Sequence, residues 1–92
     1  MTADGRVLMK HATSAALESL SELLDQIRGK AGLKEKKLGI FYSKSKSFLH
    51  FHEDRAGLFG DLRVGTHFDR YPVNTRGEWR VLLSAIDRAL KL

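Results

Sequence analysis

The chain has 92 residues, 42% of them hydrophobic and 29% charged, with a formal net charge of +5. That length supports one domain with a single modest core, and the balance of apolar and charged residues argues against disorder. The absence of cysteine excludes disulfides and thiolate metal sites.

No segment approaches the ~20 consecutive apolar residues of a membrane helix, and the apolar stretch within Met1–Lys10 is too short for a signal peptide. A cytoplasmic protein without membrane contact is expected, with residues 1–11 loosely ordered in a domain spanning 1–92.

The first predicted element is a helix over about 13–28. Ala16, Leu17, Leu20, Leu23, Leu24 and Ile27 recur at three- and four-residue spacing and make one apolar stripe. Thr13 or Ser14 can cap its start, and Gly29 and Gly32 follow its end. The connector from Lys30 to Lys37 is polar and basic and predicts a loop.

Four strands follow, over about 38–43, 47–52, 58–64 and 67–72. Leu38, Ile40 and Tyr42 alternate with Gly39, Phe41 and Ser43 in the first. Ser43–Lys46 has no apolar residue, and it, Glu53–Gly57 and Gly65-Thr66 read as turns. Pro72 places the last strand at a sheet edge. Thr75-Arg76-Gly77-Glu78 is a capping box, and it opens a helix over about 76–91 with Trp79, Leu82, Leu83, Ile86 and Leu90 on one face.

The order α-β-β-β-β-α predicts an α+β fold of two layers: an antiparallel four-stranded meander with both helices on one face. If Leu38, Ile40, Tyr42, Leu49, Phe51, Leu58, Leu62 and Val64 face the helices, the open face carries Phe41, Phe48, His50, His52, Phe59, Asp61 and Arg63. A shift of the second strand by one residue would instead bury Phe48 and turn both histidines inward.

Three functions follow from these residues. An uncovered apolar face suits a non-catalytic interaction module, a homodimer or the seat of a protein partner, with Phe41, Phe48 and Phe59 as anchors and His50, His52 and Arg63 as polar contacts. The tract from Arg28 to Lys46 holds seven basic residues against one acid, Glu35. Its Lys34, Lys36, Lys37, Lys44 and Lys46 suit a nucleic-acid backbone, against the simpler reading of a solvated loop and a protected sheet edge.

Third, His50-x-His52 on a strand sets two imidazoles on one side, about 7 Å apart along the chain. Glu53, Asp54, Asp61 or His67 is available to complete a metal set. His11 has no supporting pattern. No nucleophile elbow, P-loop or dinucleotide glycine pattern is present, and Glu53 and Asp54 fall in a turn, so neither catalysis nor a cofactor is expected.

The helix–strand–helix order is similar to that of double-stranded-RNA-binding domains. Where that family opens its second helix with a lysine cluster, however, this chain has Asn74-Thr75-Arg76-Gly77-Glu78. The stretch Ser47-Phe48-Leu49-His50-Phe51-His52-Glu53-Asp54-Arg55-Ala56-Gly57-Leu58 resembles the hairpin region of the YjbR/MmcQ group of small bacterial proteins. That resemblance implies a frataxin-like arrangement of strands flanked by helices, with DNA binding as a suggested activity. The group's C-terminal tryptophan-bearing segment has no counterpart here, and no functional residue carries over.

Overall fold

The computed structural model describes residues 10–91. The expected loose segment therefore lies outside the described residues for 1–9, whereas Lys10–His11 form a short strand, β1. The chain continues through α1 (Ser14–Ser19), α2 (Ser21–Arg28), β2 (Lys34–Lys37), β3 (Ile40–Ser43), β4 (Lys46–Asp54), β5 (Gly57–Val64), β6 (His67–Pro72) and α3 (Arg76–Leu90). The fold is α+β with an antiparallel meander, and the meander has five strands in the order β2-β3-β4-β5-β6. The additional strand is β2, made from the tract expected to be a loop. β1 pairs with β4 beside β3, matching His11 with His52.

The N-terminal helix is broken where a single helix was expected. Thr13 caps α1 by accepting from the Ala16 amide, and Leu20, at φ −103° and ψ 14°, separates it from α2. The Ser19 hydroxyl donates to the Ala16 carbonyl, and such back-bonding bends helices. The apolar stripe survives the break, with Leu17, Leu20, Leu23, Leu24 and Ile27 all buried. The capping box of α3 forms as expected, with the Thr75 hydroxyl accepting from the Glu78 amide and Glu78 Oε1 accepting from the Thr75 amide. The Trp79 indole donates to the Val73 carbonyl at 2.9 Å and fixes the approach to this helix.

One core joins the α1/α2 stripe and Leu82, Ala85 and Ile86 of α3 to Phe41, Phe48, Leu49, Phe51 and Leu62 of the sheet. α3 lies against β5 and β6, and at Gly60 the sheet backbone comes so close that an added Cβ would stand 3.3 Å from Leu82. Among the described residues no helix is long and apolar enough to cross a membrane.

Two strand registers differ from the predicted ones, each for a local reason. Leu38 is not in a strand: it lies 53% exposed in the β2–β3 turn, beside Gly39 at φ +75°. A Cβ at Gly39 would meet the Leu17 side chain at 2.8 Å. With the turn there, Phe41 points into the core and Ile40 and Tyr42 point away from it. In β4 a bulge falls opposite Phe41 and Tyr42, so that Phe41 pairs with Leu49 and Tyr42 with Ser47. The extra residue lets Phe48 and Leu49 both turn inward, while His50 and His52 stay on the open face.

The β3–β4 hairpin closes through Lys44 and Ser45, both at positive φ (53° and 72°), the signs a type I′ turn requires. Side chains with a Cβ are strained there by roughly 1–2 kcal/mol per residue. Replacing both together (Lys44→Asn, Ser45→Gly) is expected to raise stability by about 1 kcal/mol, read from urea denaturation midpoints.

Candidate functional site

The open face is built in transverse rows by the strand register. In the middle row Ile40, His50, Asp61 and Arg70 lie side by side across β3 to β6. The next row holds His11, His52, Phe59 and Pro72 across β1, β4, β5 and β6. Three imidazoles and one carboxylate therefore converge. The His50 and His52 rings meet edge to face at 4.9 Å, and His11 lies 4.8 Å from His52 and 6.0 Å from His50. Phe68 closes the side of the cluster, its ring 5.1 Å from His50.

Asp61 is the buried charge of this face, 7% exposed. Arg70 grips it with two parallel hydrogen bonds, Nε to Oδ1 at 2.9 Å and Nη2 to Oδ2 at 3.0 Å. Burial alone would raise the Asp61 carboxyl, but the hydrogen bonds and charge of Arg70, with the neighbouring histidines, hold it below the ordinary carboxylate value. His50 moves down as well: burial disfavours its charged form, the adjacent His52, His11 and Arg63 add to this, and Asp61 opposes it. It is thus a neutral imidazole at pH 7, the form that ligates metals.

One nitrogen of each of the two β4 histidines lacks a hydrogen bond. His50 Nδ1 and His52 Nδ1 are both buried without a hydrogen-bond partner among the described residues. His52 Nδ1 stands 2.9 Å from Asp61 Oδ2 but off the line a hydrogen bond needs. Buried polar nitrogens are normally satisfied, so two together call for an explanation. One donor atom from each of His50, His52 and Asp61 lies within 4.8 Å of the others. A tetrahedral ion with ~2.1 Å bonds holds its donors about 3.4 Å apart. The set would therefore contract by no more than about 1.4 Å around an ion, a movement that small rotations of the side chains supply.

The other ligand candidates are occupied elsewhere. Glu53 accepts from the Thr13 amide, and Asp54 accepts from the Ala56 amide inside the β4–β5 turn. His67 is exposed and paired with Asp69 at 3.1 Å. Asp61 alone of the four carboxylates and imidazoles considered joins the pair. His11 packs its ring against the pair without entering the donor set, and two residues of strand ahead of a helix cap leave no periodic signal in the sequence.

Phe41 and Phe48, expected as anchors of the open face, are in the core at 1% and 5% exposure. Phe59 and Arg63 are on the open face as expected, with Arg70 stacked over Phe59 and Arg63 over Phe68. The apolar patch that suggested a docking surface is smaller for that loss, and its centre is polar. Lys34, Lys36 and Lys37 lie on β2, while Lys44 and Lys46 lie at the β3–β4 hairpin.

No family model, curated protein or solved structure matches the chain.

Proposed function

We propose that this protein binds a divalent transition-metal ion, Zn²⁺ foremost, on the open sheet face through His50, His52 and Asp61. The observation that carries this reading is the pair of buried, unpartnered imidazole nitrogens beside a carboxylate, with all three donor groups within 4.8 Å. Two imidazoles and a carboxylate suit Zn²⁺ and its borderline neighbours better than Ca²⁺ or Mg²⁺, which favour oxygen sets. Arg70 fixes the orientation of the carboxylate by donating to both of its oxygens, as outer-shell partners of metal ligands do. His11 packs ring to ring against this set, 4.8 Å from His52, without belonging to its donor group.

Thermal unfolding tests the proposal. At Zn²⁺ a hundredfold above its Kd, mass action stabilises the folded state by ~2.7 kcal/mol. For a domain of this size that is a rise in Tm of about 10 °C or more. Ni²⁺ should act in the same direction. His50→Ala is expected to abolish the rise and His67→Ala to preserve it. An unchanged Tm in the unmutated protein, with no heat of binding by calorimetry, would sink the proposal.

A further inference from the structure

A second feature of the open face shares only Phe68 with the histidine cluster. At the hairpin end of the sheet, the register places Lys34 opposite Tyr42, Tyr42 opposite Ser47, and Arg63 opposite Phe68. Arg63 Nε donates to the Ser47 carbonyl and closes the row between β4 and β5. Lys36 lies over the Tyr42 ring at 4.5 Å, and Arg63 over the Phe68 ring at 4.7 Å. One line of alternating cations and aromatic rings thus crosses from β2 to β6. Four interstrand spacings make it about 19 Å long. Its middle position is the small Ser47, because the bulge sends Phe48 to the core.

Among the described residues the lysine charge at this end has no acidic partner. Glu35, the tract's one acid, is taken up by Arg28, which binds both of its oxygens, and by the Gly39 amide. Lys34, Lys36, Lys37, Lys44 and Lys46 form no ion pair among the described residues. Lys34, Lys36 and Lys44 converge with Tyr42 on a single hollow. A strand that meets this row therefore finds cations and aromatic rings in contact, Lys36 with Tyr42 and Arg63 with Phe68.

The geometry points to a single-stranded nucleic acid as the occupant of this row, its phosphates on Lys34, Lys36, Lys44 and Arg63 and its bases stacked on Tyr42 and Phe68. Phe68 is 38% exposed, a large apolar surface for a ring of a small protein to leave in water. A simple anion would use the cations and leave the rings idle, and a duplex hides its base faces inside the stack. A single strand offers both chemistries at once: charge that releases counterions, and π-faces that stack without regard to sequence. DNA and RNA share these features, and comparing the two oligomers distinguishes them.

The test is fluorescence anisotropy of a short labelled oligothymidylate or oligouridylate with the full chain, in EDTA so that metal plays no part. Single strands lose affinity with a slope of about −0.7 in log–log salt dependence per phosphate contact, so three to five contacts predict about −2 to −3.5. Raising salt from about 50 to about 200 mM should then weaken binding about 15- to 130-fold. Lys36→Glu should weaken it about tenfold or more, and Tyr42→Ala about 5- to 160-fold through lost stacking. Tyr42→Phe keeps the ring and should retain binding. Arg55→Glu, the same charge change in the β4–β5 turn at the other end of the sheet, should leave affinity unaltered. Tighter binding to a duplex overturns the inference, as does equal weakening by Arg55→Glu. So does equal affinity for heparin, which has charge but no bases. None of these readouts depends on His50, His52 or Asp61, so the metal proposal and this one stand or fall separately.

Discussion

Replacing Phe41 by alanine lowers the unfolding free energy by about 3–5 kcal/mol, the usual cost of deleting a buried aromatic ring. Phe41 is 1% exposed and sits between the stripe of the N-terminal helices and the inner face of the sheet. Small domains are stable by only about 5–15 kcal/mol in total, so the variant loses a large share of its margin. Ile40→Ala, one residue away on the open face, is expected to cost about 1 kcal/mol, because there is no core cavity to leave behind. The contrast tests the register of β3, since a slip by one residue would exchange the two side chains between the faces. Urea melts of both variants decide it: a larger loss for Ile40→Ala than for Phe41→Ala would place the inward face on Leu38, Ile40 and Tyr42.

That alternation is also where sequence reasoning went astray, and the cause is physical. Leu38, Ile40 and Tyr42 look like the apolar half of a strand, and Phe41 between Gly39 and Ser43 looks like its outer half. What overrides the pattern is a turn whose glycine must adopt φ +75° and leave room for Leu17. Close approach between elements distant in sequence has no signature in a single chain. The bulge at Phe48 is similar. A strict two-residue period allowed Phe48 and the histidines to be on one side or all reversed, whereas the extra residue buries Phe48 and leaves His50 and His52 outside.

Features encoded within one turn of chain were legible. The capping box at Thr75 and Glu78, the Thr13 cap, the helical stripes and the turn at Gly65-Thr66 all formed where the sequence placed them. β2 was missed because Lys34-Glu35-Lys36-Lys37 contains no apolar residue, and its pairing is supplied by the neighbouring strand. The candidate site was half legible. His50-x-His52 stands out by its spacing, and Asp61 was one of several possible thirds. Its selection over Glu53 and Asp54 depends on cross-strand register, which pairs it with His50.

Asp61→Asn preserves the shape of this site and removes its charge, and the variant is expected to bind Zn²⁺ at least tenfold more weakly. Loss of an outer-shell partner alone costs about 10- to 100-fold, and here a donor itself is weakened. The fold should survive, because Arg70 is 45% exposed in its side chain and can turn to water when its partner loses charge. The metal-free protein offers a second readout. His50 has a folded value below its ordinary 6.5, so between those limits the unfolded chain holds the proton that the folded chain refuses. Stability from this source is complete above pH 6.5 and declines as pH falls below it. Asp61 also has a lowered value, so its contribution is present above its ordinary 3.8 and is lost as pH falls through the folded value. In Asp61→Asn the acid limb disappears. The decline below pH 6.5 extends to lower pH, because the carboxylate that had favoured the charged His50 is gone. Urea melts in EDTA across this range, with the His50 ring titration followed by NMR, measure both limbs. A His50 that titrates identically in the two proteins would show that its imidazole does not sense Asp61, and would remove the electrostatic basis for treating the two as one site.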